Sequence, residues 1–154
     1  MPKPVPPNQL TLLAPSPTMS LTLRVLAPDQ SVFDGTAEEV ILPSTTGLLG
    51  ILPGHISIVT AIDVGVLRVL SNGNWNSIAL MGGFAEVEAN EVTVLVNGAE
   101  LGNKIDATSA EAELEKAKNE FSKVEGQVNS TEKVKAQQNL SRARARLQAT
   151  KASN

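Results

Sequence analysis

Apolar and polar residues alternate with a period of two over the first part of this chain. Leu21, Leu23 and Val25 are separated by Thr22 and Arg24, the pattern of a strand with one buried face. Further β-like runs occupy 39–42, 56–62, 64–70, 75–80, 84–88 and 92–96. Turn-forming pairs punctuate them: Pro28-Asp29, Asp34-Gly35, Pro53-Gly54, Asn72-Gly73 and Asn97-Gly98. Asn72-Gly73 between two such runs predicts a hairpin. Many short strands at this spacing predict an antiparallel sandwich or barrel rather than alternating β-α units.

Around Asp106 the period changes. Thr108 and Glu111 have the S/T-x-x-E spacing of a capping box, which satisfies the orphan amides of a first helical turn. Ala110, Leu114, Ala117, Phe121, Val124 and Val128 then recur every three or four residues, a narrow helical stripe suited to another helix. The run breaks over 126–130, where Ser130 or Thr131 is available as the next N-cap. Ala136, Leu140, Ala143 and Leu147 repeat the spacing, so the two stripes predict an antiparallel helical hairpin. Both stripes are rich in alanine. At roughly 25 cal/mol per Å² they bury little apolar area, which predicts a weakly held, movable element.

The fold class expected is therefore α+β and mainly β: a pattern of strands over 19–106 followed by the hairpin at 107–154. Residues 1–18 stand apart, with six of the nine prolines. Proline fixes φ and lacks an amide donor, so this stretch reads as an extended, disordered tail. Its one apolar segment, 10–14, is too short and too polar for a signal peptide. A mature chain beginning at Met19 is an equal alternative.

Composition narrows the chemistry. With 154 residues the chain holds one ordinary domain and a small appendage. It has no cysteine, no tyrosine and one histidine, His55. Disulfides, thiolate chemistry and a histidine metal cluster within one chain are excluded. No run approaches the ~18 apolar residues of a membrane-spanning helix, so any membrane link goes through a partner. The net charge of −3 is unevenly spread. From Met19 to Asp106, ten acidic residues face three basic ones, and from Ser130 to the end one acidic faces six basic. The two parts are expected to meet different partners.

Enzymatic signals are weak. Gly47-Leu48-Leu49-Gly50 lacks the Lys-Ser/Thr of a phosphate loop. Gly82-Gly83 reads as a bulge or tight turn rather than a ligand approach. His55 follows Pro53-Gly54 without a visible nucleophile or orienting acid, so a structural or interface role is expected and no catalytic residue is assigned. The second helix is more informative. Lys135, Arg142 and Arg146 fall on one side, Arg144 on another, and no acidic residue is adjacent in sequence to Arg142, Arg144 and Arg146. With Lys133 they form a candidate partner-binding set for carboxylates or phosphates, against the bland alternative of a solvated helix face. No aromatic RNA-binding motif accompanies them, and the rest of the chain is acidic, which disfavours nucleic acid.

Several motifs together resemble the epsilon subunit family of F-type ATP synthases. They are Val40-Ile-Leu-Pro-Ser-Thr-Thr-Gly47, Gly50-Ile-Leu-Pro-Gly-His55, Asp63-Val-Gly-Val-Leu-Arg68, Ala79-Leu-Met-Gly-Gly-Phe-Ala-Glu86, Glu91-Val-Thr-Val-Leu-Val-Asn-Gly-Ala-Glu100 and Arg142-Ala-Arg-Ala-Arg-Leu147. The likeness runs from Ser20 to Leu147, and its wording at 79–86 and 142–147 is similar to the cyanobacterial and plastid branch. It implies an N-terminal antiparallel β-sandwich of about ten strands and a C-terminal antiparallel α-helical hairpin. It implies a non-catalytic rotor part, which couples the gamma subunit to the c-subunit ring and opposes ATP hydrolysis when the hairpin extends towards the alpha/beta head. It also implies a peripheral place at the thylakoid membrane, on the cytoplasmic or stromal side.

Two departures from the family pattern stand out. Some relatives bind a regulatory ATP through an Ile/Leu-Asp-x-x-Arg-Ala motif and an upstream Glu. Here Glu100 and Asp106 match, but Ser109 replaces the arginine, so no cofactor is expected. Leu48 stands where relatives often place a polar or acidic residue towards the c ring. A reading from another class remains beside the resemblance: a free-standing sandwich module whose basic hairpin docks on an acidic partner.

Overall fold

The computed structural model describes residues 20–128 and 130–151; the expected tail at 1–18 lies outside them. Among the described residues eight strands come first: β1 (Leu21–Ala27), β2 (Gln30–Ala37), β3 (Glu39–Ser44), β4 (Gly47–Ile51), β5 (Ile58–Ser71), β6 (Asn74–Glu88), β7 (Glu91–Val96) and β8 (Ala99–Leu101). A 3-10 turn at Gly102–Lys104 leads into helix α1 (Ala107–Val124), and helix α2 (Thr131–Lys151) follows.

The strands are hydrogen-bonded in the order β2-β1-β7-β6-β5-β3-β4, with β8 on β6. The long strands β5 and β6 pair from Ile58 opposite Val87 to Ser71 opposite Asn74. The second half of β6 also takes β7, and its first half takes β8. One sheet thus folds over a single core, a sandwich joined through β5 and β6. Period-2 alternation put Leu21, Leu23 and Val25 into that core, where they meet Leu42, Leu67, Ile78, Leu80, Val92 and Val94. One pair departs from the antiparallel expectation: β1 runs parallel to β7, with Leu23 opposite Val92. A parallel neighbour needs a long crossover, and the intervening strands β2 to β6 supply it.

The resemblance implied about ten strands, and the described residues hold eight. Four expected runs fuse into two strands, because the breaks read at Asp63 and at Gly82-Gly83 do not end them. The glycine pair is neither bulge nor turn. Pairing with β5 keeps one register through it, Ile62 opposite Gly83 and Val64 opposite Met81. Gly82 and Gly83 have φ of 87° and 154°, a bend that side-chain-bearing residues resist. A Cβ on Gly83 would collide with the Leu95 carbonyl oxygen, so β7 crosses here in direct backbone contact. Asp34-Gly35, expected as a turn, lies inside β2, with Gly35 opposite Leu23.

Turn chemistry was otherwise informative. Asn72 and Gly73, at φ 54° and 77°, form the two-residue β5–β6 loop. Ala89 and Asn90, at φ 51° and 65°, make the equivalent β6–β7 loop without a glycine.

Helix α1 begins two residues before the expected capping box. Asp106 is its N-cap, and its carboxylate accepts from the Thr108 amide at 3.0 Å. The box spacing at Thr108 is therefore incidental, since the aspartate already satisfies that orphan donor. Ser130 caps α2 by accepting from the Lys133 amide at 3.1 Å. Val128, expected in the first stripe, lies beyond α1 and is 88% exposed.

The helices pack as an antiparallel pair through Ala117, Leu140 and Ala143, with Leu114 and Phe121 at the edges. The pair lies on the sandwich, where Ala110 of α1 and Ala149 of α2 meet Val66 of β5, Ala79 of β6 and Ile105. Fully buried core residues such as Leu21, Leu67 and Ile78 contribute roughly 1.5–3 kcal/mol each. The joint is smaller: Ala79, Ala110 and Ala149 supply single methyl groups, worth about 0.8 kcal/mol apiece, beside Val66 and Ile105, with Met81 and Leu147 at its edge. The hairpin is the weaker attachment of the two.

Candidate functional site

Chemistry-bearing side chains gather where α2 crosses the end of β8. Gly102 stands first in the 3-10 turn, and a Cβ there would collide with the Ala149 carbonyl oxygen of α2. Backbone meets backbone at this point, so only glycine lets the helix sit this close. One turn earlier on α2, Arg146 bridges three elements. Its Nε donates to Glu100 Oε2 of β8 at 2.8 Å, and its Nη1 donates to Glu113 Oε2 of α1 at 2.5 Å. The Arg146 side chain is 25% exposed, partly desolvated by the joint. The hydrogen bond it donates to Glu100 holds its pKa above the ordinary arginine value; burial opposes this, and Glu113 adds to it. The guanidinium is therefore charged throughout the neutral range.

The five basic residues expected to act as one set have different environments. Arg142 and Arg146 line one groove on the hairpin with Glu113, Lys116, Glu120 and Asn139, as their four-residue spacing requires. Arg142, Arg144 and Lys135 are exposed, and none of the three makes an ion pair among the described residues. Lys133 is half-buried, and its Nζ donates to the Gln127 carbonyl at 3.0 Å. Arg146 corrects the expectation that the arginines lack acidic neighbours: its partners lie 46 and 33 residues away in sequence. Ala143 and Ala145 between the arginines are both buried, so α2 is covered on two sides. The sequence stripe 136-140-143-147 captured one side only.

Glu100, Asp106 and Ser109 do not converge on a common site. Glu100 is engaged with Arg146. Asp106 caps α1 and also accepts from the Ser109 hydroxyl at 3.3 Å. Ser109, in the position of the missing arginine, thus joins the helix cap. His55 is half-buried, with Nδ1 2.7 Å from the Ile56 carbonyl oxygen. Among the described residues no group of His, Asp and Glu could hold a metal ion. No helix among them is long and apolar enough to cross a membrane.

The sandwich exposes two apolar areas that its core does not need. The first runs across four strands, because Leu26 is opposite Leu95, Leu95 opposite Phe84, and Phe84 opposite Ala61. Phe84 is 63% exposed, Leu95 54% and nearby Val59 70%. The next rows along this face turn charged, with Arg24, Glu86, Glu88 and Glu91. The second is the segment 48–56, where Leu48 beside the β3–β4 turn, Leu52 and Ile56 are 78%, 56% and 74% exposed. Sequence reading missed the first area, although a signal was present: Leu95 and Phe84 are apolar at outward positions of alternating strands.

Two family profiles account for the chain: the ATP synthase Delta/Epsilon chain beta-sandwich domain matches residues 20–102, and the Delta/Epsilon long alpha-helix domain matches 103–151. The chain belongs to the ATP synthase delta/epsilon chain family. Its relatives stand on the epsilon side. The ATP synthase epsilon chain of Prochlorococcus marinus (strain MIT 9313) is 81% identical over 133 residues, 86% of this chain and 100% of the relative. That of Synechococcus sp. (strain WH7803) is 74% identical over 86% of this chain and 98% of the relative. As an epsilon-type member the chain is a non-catalytic subunit of the F-type ATP synthase. The free-standing-module alternative falls with that membership. Its fold is also that of a chain in the Euglena gracilis mitochondrial ATP synthase OSCP/F1/c-ring structure, at 19% identity and TM-score 0.72 over 96% of both chains. A chain of the Tetrahymena thermophila mitochondrial ATP synthase central stalk/c-ring matches at 18% identity and TM-score 0.55, over 86% of this chain and 96% of that one.

Proposed function

We propose that this epsilon-type subunit works as a rotor coupling with a detachable brake. The sandwich, 19–106, is the coupling. Its outer row of Leu26, Leu95, Phe84 and Ala61 receives the gamma subunit, while Leu48, Leu52 and Ile56 rest on the c-subunit ring. The hairpin, 107–154, is the brake, and its basic residues Lys133, Lys135, Arg142, Arg144 and Arg146 engage acidic surface of the alpha/beta head when it extends. The work is done at the thylakoid membrane, on the cytoplasmic or stromal side, and the membrane is reached only through the complex. No nucleotide is needed for it.

The exposed apolar row carries this reading. Phe84 and Leu95 are adjacent on a sheet face, each more than half exposed, and their burial stabilises an interface instead of the fold. Co-purification with gamma tests it. Phe84→Ser with Leu95→Ser is expected to leave the sandwich folded and to weaken gamma binding at least about tenfold, as loss of a central aromatic anchor does. Unaltered gamma binding by this folded variant removes the row from the interface.

A further inference from the structure

Arg146 is the one basic residue of the arginine run tied to both the sandwich and the first helix. While the hairpin is packed down, Arg146 Nε serves Glu100 on β8 and its Nη1 serves Glu113 on α1. Arg142 and Arg144, four and two residues earlier, make no ion pair among the described residues. Moving α2 off β8 breaks the Glu100 bond, and separating α2 from α1 breaks the Glu113 bond. The same motion returns the guanidinium to water, so both ion pairs are lost and the fork is free to take other carboxylates.

We propose that Arg146 is a handed-over cation: Glu100 and Glu113 latch the hairpin down through it, and release passes it to an acidic protein segment offering two carboxylates to the same fork. The two pairings exclude each other because the first needs α2 against β8 and the second needs it away from β8. This proposal rests on the brake reading above for the identity of the receiving surface, the head, but the latch itself is a property of the isolated chain. Two observations support the latch independently of charge. Gly102 brings α2 into backbone contact beside Glu100, which fixes the reach of Arg146. The apolar joint around it, Ala79, Ala110 and Ala149 with Val66 and Ile105, is small beside the sandwich core, so the ion pairs add to a modest burial.

The test begins with the full chain. It has no cysteine, so cysteines introduced at exposed Asn74 and Gln148 carry a spin-label pair that reports the spacing of sandwich and α2. Glu100→Gln with Glu113→Gln, and separately Arg146→Ala, should each raise the fraction with long distances about fivefold, the effect of losing two partly exposed ion pairs. An unchanged distance distribution in both variants overturns the latch. Hydrolysis by the assembled catalytic head then reads the handover. The Glu100→Gln/Glu113→Gln variant, which frees Arg146, should inhibit more than the wild type, and Arg146→Ala should inhibit less despite its released hairpin. Stronger inhibition by both variants overturns the handover. A head that no version inhibits, wild type included, overturns the receiving partner and the brake reading together, and the distance measurement still decides the latch.

Discussion

Gly102 and Ala149 stand so close that the helix backbone of one rests on the turn backbone of the other, with no room for a side chain between them. The contact places the end of α2 against the turn that follows β8, directly after Glu100 and Leu101. It converts a sequence position into a distance: any residue larger than glycine at 102 lifts the helix.

Gly102→Ala should therefore loosen the hairpin while sparing the sandwich. Overpacking of this kind costs roughly 1–3 kcal/mol. Amide hydrogen exchange checks it. Protection is expected to fall across 107–151 and to hold in β5 and β6. Equal loss in both regions would mean that the hairpin and the sandwich unfold as one unit.

Gly83→Ala should act on the other part. The added methyl meets the Leu95 carbonyl oxygen, and φ of 154° is itself unfavourable for alanine. Two backbones would have to separate in the middle of the sheet, so the loss should exceed about 3 kcal/mol. Gly73→Ala, at φ 77° with open space around it, is the control and should cost only about 1 kcal/mol. Thermal unfolding of the two variants separates the close approach from the dihedral.

The fold was legible wherever one residue's own chemistry decided its structure. Leu21, Leu23 and Val25 alternate into the core, Asn72-Gly73 makes its hairpin loop, and Ser130 caps its helix. It was illegible wherever a distant segment decided. Gly82-Gly83 looks locally like an interruption, and only the passage of β7 explains why the strand bends and continues. Ala89-Asn90 carries no glycine, yet the pairing of Glu88 with Glu91 holds both residues at positive φ. At the candidate site, four-residue spacing joined Arg142 to Arg146 correctly. The carboxylates that distinguish Arg146 come from a strand and a helix remote in sequence, and no helical periodicity reveals them.

Truncation after Asp106 should leave a soluble β-domain that still binds gamma. The helices add no strand to the sheet, and the main core is drawn wholly from the sandwich. Removing them uncovers Val66, Ala79, Met81 and Ile105, a surface outside the main core, so a modest fall in melting temperature is expected, not collapse. Size-exclusion chromatography with gamma provides the measurement. Failure of the folded fragment to bind would move the gamma contact onto the hairpin.

The basic residues provide the last prediction. Arg142→Ala with Arg144→Ala removes two exposed cations that have no internal ion pair, so the packed-down hairpin should keep its stability within about 0.5 kcal/mol. Alanine also preserves helix propensity. If these arginines engage acidic surface on the head, the double variant should lose inhibition of hydrolysis without any change in hairpin position. Salt should mimic it only in part. Screening lengths of about 8 Å at physiological ionic strength weaken exposed attractions, but salt weakens the Arg146 pairs as well and so favours release. Titration of Arg146 adds no pH dependence in the neutral range. Its raised pKa means that its stabilising charge is fully present below the ordinary arginine value and is lost only as pH rises through the raised one. Hydrolysis assays on the reconstituted head at low and high salt, with wild-type and double-variant subunits, read the result. Inhibition by the double variant equal to that of the wild type at low salt would return Arg142 and Arg144 to an ordinary solvated helix face.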